Sequence, residues 1–143
     1  MNITNTTLTQ EVLNAAETAQ ENAYAPHSNF YDGAAILTKT DEIYTGANIE
    51  NINYTNTEHA EELALHKAVH DGHREFKGLA LTLSGEPVPP CGSCRQTLSE
   101  FCDANFEIVI KDYGITTLGE LLPNAMEDIT NEKQQVTNKD TGV

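Results

Sequence analysis

The chain has 143 residues, 38 % of them hydrophobic, and a formal net charge of −14 from 22 Asp plus Glu against 8 Lys plus Arg. That length suits one domain with a real core, and so negative a surface repels phosphate backbones and anionic lipid, which argues against a nucleic-acid or membrane partner. No stretch approaches a membrane span, and Met1 to Gln10 lacks the basic and apolar regions of a signal peptide, so the expected location is cytoplasmic.

Thr7 and Gln10 have the spacing of a capping box. Leu8, Val12, Ala16 and Ala19 then recur at helical spacing, widened by Leu13 and Ala15, and predict a helix to about Ala23 that covers one face of a sheet. Pro26 stops it, and Tyr24 to Phe30 reads as an ordered loop. Gly33 to Thr38 and Glu42 to Ala47 read as a hairpin turning at Thr40-Asp41. The small residues at 33 to 35 imply another backbone passing close. Asn51 to Thr57 is a polar loop carrying Tyr54.

A second helix is expected from about Glu58 to Val69, with Ala60, Leu63, Ala64, Ala68 and Val69 inward. His66, His70 and His73 read as solvated side chains on its exposed side and end. Lys77 to Ser84 alternates as a strand, and Gly85 to Pro90 turns into a helix that reaches about Cys102. Phe106 to Ile110 is a further strand, and Thr116 to Pro123 a final short helix. Residues 1–130 are read as a single domain and 131–143 as a polar, mobile tail. Strands in a hairpin followed by alternating helix and strand point to a mixed sheet with helices on both faces.

The chemistry concentrates in two places. His59-Ala60-Glu61 opens the second helix, and Pro90-Cys91-Gly92-Ser93-Cys94 opens the third. Cys91 and Cys94 are three apart, so at a helix start both sulfurs can face one ion, and the positive end of a helix favours thiolate. With His59 they form three protein ligands, the number a catalytic zinc takes while leaving a position for water. Glu61 is then free to move that water's protons. Alone, the cysteine pair could be a redox dithiol, half of a structural zinc site or a chance spacing. A dithiol oxidoreductase would not need His59 and Glu61, and a structural site would close its tetrahedron with a fourth Cys or His. The two motifs in this order, with Pro before the first Cys, match the signature of zinc deaminases. Cys102 is left over and reads as a small buried apolar residue.

With these residues in hand, the chain resembles the cytidine deaminase family, in its small free-nucleoside branch. The likeness runs from about Ala23 to Met126. It rests on Ala25-Pro26-His27-Ser28-Asn29-Phe30, Gly33-Ala34-Ala35, Asn48-Ile49-Glu50-Asn51, His59-Ala60-Glu61, Pro90-Cys91-Gly92-Ser93-Cys94-Arg95-Gln96 and Glu120-Leu121-Leu122-Pro123. The resemblance implies an α/β fold, a three-layer α/β/α sandwich on a five-stranded mixed sheet. It implies one Zn²⁺ per chain on His59, Cys91 and Cys94, with Glu61 as the catalytic proton carrier. It further implies a small-molecule nucleoside substrate: Asn48 and Glu50 hold the ribose, Phe30 packs on the nucleoside, and the Ala60 N–H bonds the pyrimidine carbonyl. The implied reaction is hydrolytic deamination of cytidine or 2′-deoxycytidine in pyrimidine salvage. A deaminase of a cytosine-nucleoside antibiotic shares the zinc motif but should lack Asn48-Ile49-Glu50-Asn51. The implied assembly is a homotetramer with shared active sites.

The chain departs from the family pattern at several positions. His59 stands where small tetrameric members usually have a third Cys, and Glu62 where an Arg follows it. One neutral imidazole and two thiolates leave the Zn²⁺ centre uncharged, so the Arg is not needed. His27 replaces a usual Tyr, and Met126 a Phe that reaches a neighbour's base, where sulfur–aromatic contact would replace stacking. Asp32 replaces an apolar residue, and the sequence offers no reason for it. Arg95 sits in the first turn of its helix, where a cation opposes the dipole, and is therefore expected to meet a specific carboxylate, one that a neighbouring subunit could supply. The Lys-poor, acidic composition suggests adaptation to high salt, where screening relieves self-repulsion. The thermal midpoint should accordingly rise between dilute buffer and molar salt; a flat or falling midpoint would refute that adaptation.

Overall fold

A computed structural model describes residues 8–126. Thr7, the domain limit expected at 130 and the tail 131–143 lie outside them. The elements in chain order are α1 (Gln10–Gln20), β1 (Asp32–Thr38), β2 (Ile43–Ala47), α2 (Ala60–His70), β3 (Phe76–Leu83), α3 (Gly92–Ser99), β4 (Glu107–Ile110), β5 (Gly114–Thr117) and α4 (Leu118–Leu121). The strands form one mixed sheet in the order β2-β1-β3-β4-β5. β1 runs antiparallel to both β2 and β3, β3 parallel to β4, and β5 antiparallel to β4. This is the expected α/β fold on a five-stranded mixed sheet.

Two cores lie on opposite faces. On one, α1 sets Val12, Leu13 and Ala16 against Ala35, Leu37, Ala80 and Val109. On the other, Ala60, Ala64, Leu65 and Ala68 of α2, Leu98 of α3 and Leu118 pack on Ala34, Ile36, Leu79, Leu81, Ile108 and Ile110. Alternation along β1 and β3 thus sends the larger side chains of β3 toward α2 and α3 and Ala80 toward α1. The close approach expected near residue 33 is present. A Cβ on Gly33 would lie 2.1 Å from the Ala16 carbonyl oxygen of α1, and one on Gly46 would lie 2.4 Å from that of Ala60 in α2.

Several boundaries differ from the sequence reading. α1 begins after Thr9 and ends at Gln20, not Ala23, and its cap uses no side-chain hydrogen bond. α3 ends at Ser99, not Cys102. In α2 it is Leu65 that is fully buried, while Leu63, expected inward, is half-buried. The expected last helix is strand β5 followed by the four-residue α4. Thr116-Thr117 pairs with Glu107 and Ile108, and Thr117 then caps α4 in a capping box with Glu120. β-branched residues fit a strand as well as a helix start, and only the neighbouring strand decides.

His73 is not a loose solvated group. Its Nε2 lies 3.3 Å from Glu42 Oε1 and its ring 5.3 Å from that of Tyr44. Tyr44 in turn bonds Asp71, which pushes the phenol up to about 12.

No helix among the described residues is long and apolar enough to cross a membrane. Because backbone, not a flexible side chain, faces Gly46, Gly46→Ala should cost about 1–3 kcal/mol of stability. Equilibrium denaturation measures that loss, and wild-type stability in the variant would contradict the close packing.

Candidate metal centre

The ligand-bearing residues meet because of strand direction. β2 and β3 both run antiparallel to β1, so their last residues lie at one end of the sheet, beside the first residues of β1. There Gly33 pairs with Ala47 and Asp32 with Leu83. The chain leaving β2 enters α2 and the chain leaving β3 enters α3, so both helices start at that end.

His59 is the N-cap of α2 and Cys91 the N-cap of α3, each in extended conformation. Their carbonyls accept the first helical bonds, from Leu63 N and Arg95 N. Neither side chain caps its own helix, which leaves both free to turn toward each other. Cys91 Sγ lies 3.7 Å from His59 Nδ1 and 3.6 Å from Cys94 Sγ. Tetrahedral zinc with ordinary bond lengths places sulfur about 3.8 Å from sulfur and about 3.6 Å from nitrogen. The three donors therefore fit that ion, and all lie within 4.8 Å of one another.

The electrostatics ask for a cation. Cys94 is fully buried. Burial first, and then the negative neighbours Glu61, Cys91 and Glu62, push its thiol far above the ordinary range. A bound dication reverses that preference and holds the thiolate. Glu61, in the first turn of α2, is only 8 % exposed, and burial raises its carboxyl above the usual carboxylate range. Glu62 reaches across to α3, 3.5 Å from Ser93 Oγ and 3.4 Å from Thr97 Oγ1.

A cleft of about 300 Å³ opens beside His59, lined by His27, Ser28, Glu50, Tyr54 and Thr57. Segment 48–50 is held there by backbone bonds to Tyr24 on one side and Glu58 on the other. Glu50 accepts from the N–H groups of His27 and Ser28 and from the Ser28 hydroxyl. The Ser28 hydroxyl chiefly, with those N–H groups, holds the Glu50 carboxyl below its ordinary range. Asn48 is buried; its Oδ1 accepts from Asp32 N at 3.0 Å and its Nδ2 donates to Phe30 O at 2.8 Å. Phe30 is exposed, and the Ala60 N–H sits in the first turn of α2, where amides have no intrahelical acceptor.

Met126 is placed elsewhere. It lines a separate cavity of about 420 Å³ with Cys102, Leu118 and Leu122. Cys102 is half-buried, not fully buried, and burial pushes its thiol up to about 12. Ser28, Tyr54 and Thr57 went unassigned in the sequence, although Ser28 lies inside the Ala25-to-Phe30 block that carried the resemblance.

Arg95 meets no carboxylate among the described residues. Its Nε donates to Pro90 O and its Nη1 to Leu121 O, both at 2.7 Å. The guanidinium fork ties the residue just before Cys91 to the end of α4. A lysine has three donors on a single nitrogen and lacks the rigid fork that holds both carbonyls from Nε and Nη1. Arg95→Lys should therefore lose zinc to a chelator roughly tenfold faster, with unchanged circular dichroism. Wild-type retention would show the clamp to be irrelevant to the metal.

Residues 6–110 match the profile of the cytidine and deoxycytidylate deaminase zinc-binding region. The chain is 41 % identical over 133 residues to a cytidine deaminase of Sporosarcina psychrophila, covering 88 % of this chain and 98 % of that one. It superposes on the crystal structure of cytidine deaminase from Burkholderia pseudomallei with a TM-score of 0.78 at 36 % identity, over 87 % of this chain and 100 % of that chain. The cytidine deaminase from Mycobacterium tuberculosis gives a TM-score of 0.76 at 32 % identity, over 83 % and 97 %. A zinc-shaped donor set at two helix starts, a buried carboxyl beside it and this likeness along nearly the whole fold agree: the chain belongs to the zinc-binding cytidine and deoxycytidylate deaminase family.

Proposed function

We propose that the protein hydrolyses cytidine and 2′-deoxycytidine at C4, consuming water and releasing ammonia with uridine or 2′-deoxyuridine. The observation that carries this reading is the convergence of His59 Nδ1, Cys91 Sγ and Cys94 Sγ beside the buried Glu61. Bound zinc supplies a Lewis acid that makes water nucleophilic near neutral pH. The Glu61 carboxylate accepts the proton of the attacking water and delivers it to ring N3; as the C4–N bond breaks it moves the remaining hydroxyl proton to the departing amine nitrogen, leaving the C4 carbonyl. Its burial suits a group that must hold a proton between transfers.

The substrate lies in the cleft beside His59. Asn48 and Glu50 position the ribose, Phe30 packs on the nucleoside, and the Ala60 N–H bonds the base carbonyl. Binding energy from the sugar holds C4 in place, remote from the reacting bond. Met126 lies away from its own chain's metal centre, which supports a homotetramer in which it reaches a neighbour's substrate. The net charge of −14 favours a neutral nucleoside over nucleic acid. A cytoplasmic enzyme of pyrimidine salvage suits the three free cysteines.

Neither rival gains support. A dithiol oxidoreductase has no use for His59 within 3.7 Å of Cys91. The Asn48-to-Asn51 segment favours an ordinary ribose over an antibiotic. Glu61→Gln should keep its zinc while turnover of cytidine falls by roughly 10²–10⁴-fold, followed as the loss of cytosine absorbance. A near-normal rate in that variant would remove Glu61 from the role.

A further inference from the structure

Asp32 faces the same site. It is the first residue of β1 and pairs with Leu83, the last of β3, at the sheet end where α2 and α3 begin. Its side of the strand follows from its neighbours. Gly33 faces α1, since a Cβ there meets Ala16 O, whereas Ala34 and Ile36 pack in the core with α2 and α3. With alternation, the Asp32 carboxylate belongs to the α2 and α3 face, where His59, Glu61 and the cysteines lie.

Hydrogen-bond accounting singles it out. The Asn48 amide is bonded at both ends within the chain, and Glu50 already takes three protein donors. An ionised carboxylate offers about four acceptor sites. The half-buried Asp32 carboxylate makes no hydrogen bond or ion pair with a side chain or amide among the described residues. Burial raises its carboxyl, His59 opposes that rise and Glu50 adds to it, so the group sits in the fields of both ends of the cleft. An unpaired, half-buried carboxylate costs stability unless something brings it donors.

We propose that the Asp32 carboxylate is a specificity-determining acceptor of the nucleoside site, taking a hydrogen bond from a sugar hydroxyl of the substrate. This rests on the cytosine-nucleoside reading above. It assigns part of sugar recognition to an aspartate that supplements Asn48 and Glu50, whose own acceptors are largely engaged in shaping the loop from His27 to Asp32.

The test compares zinc-loaded wild type, Asp32→Val and Asp32→Asn on cytidine and its 2′-, 3′- and 5′-deoxy analogues. The Val variant should bind one zinc and melt no lower than wild type, because it removes an unpaired carboxylate. Its kcat/KM for cytidine should fall roughly tenfold to a hundredfold, mainly through KM, with partial recovery in the Asn variant. For the one analogue that lacks the bonded hydroxyl, wild type and variant should be equally poor, as in a double-mutant cycle. If the Val chain does not fold, the isosteric Asn variant should show the same analogue pattern at smaller amplitude. The proposal is overturned if the folded variants stay within about twofold of wild type on every nucleoside. It is equally overturned if they lose the same factor on cytidine and on all three analogues. A wild type inactive on every cytosine nucleoside would remove the proposed function itself, and this inference with it.

Discussion

Two helix N-termini brought to one point form the constraint on which the rest depends. His59 and Cys91 each give up the side-chain role an N-cap usually plays, and instead face a shared centre with Cys94. The positive ends of α2 and α3 favour thiolate over thiol. That favour must outweigh the burial of Cys94 and the nearby carboxylates Glu61 and Glu62, and a dication supplies the difference. Two thiolates and one neutral imidazole would bring a zinc centre to zero charge. No arginine is then required at the fourth motif position, where Glu62 instead spans toward Ser93 and Thr97 on the facing helix.

The sheet is what makes two such starts coincide. β1 lies between β2 and β3 and runs opposite to both, so the chain exits β2 and β3 on the same side. Gly33 and Gly46 let α1 and α2 rest almost on the strand backbones. Arg95 then ties the Pro90 carbonyl to Leu121, linking the thiolate turn to α4. Each device places backbone, and the side chains that bear the chemistry follow from it.

Charge is distributed with the same logic. The cleft beside His59 is bordered by Glu50, Asp32 and Glu61 both feel the His59 side of it, and among the described residues no lysine or arginine lines it. Glu50 is stabilised as an anion by local donors, whereas Glu61 and Asp32 are pushed toward the protonated form by burial. Carboxyls in one small site are thereby given different proton affinities.

The sequence by itself determined the chemistry and most of the elements. His59, Cys91 and Cys94 pointed to a metal-binding donor set, with the carboxyl of Glu61 beside it, because donor type and short-range spacing are properties of the chain. The apolar period of α1 and the alternation in β3 are likewise local. Tertiary structure alone decided the rest, because it turns on partners far apart in the chain. The pairing of Thr116 and Thr117 with β4 made β5 a strand, Ser28 and His27 engaged Glu50, and two backbone carbonyls engaged Arg95. Asp32 had no local meaning, since a strand start tolerates many residues. Only the register with Leu83 and the packing of Gly33 against α1 show which way its carboxylate points.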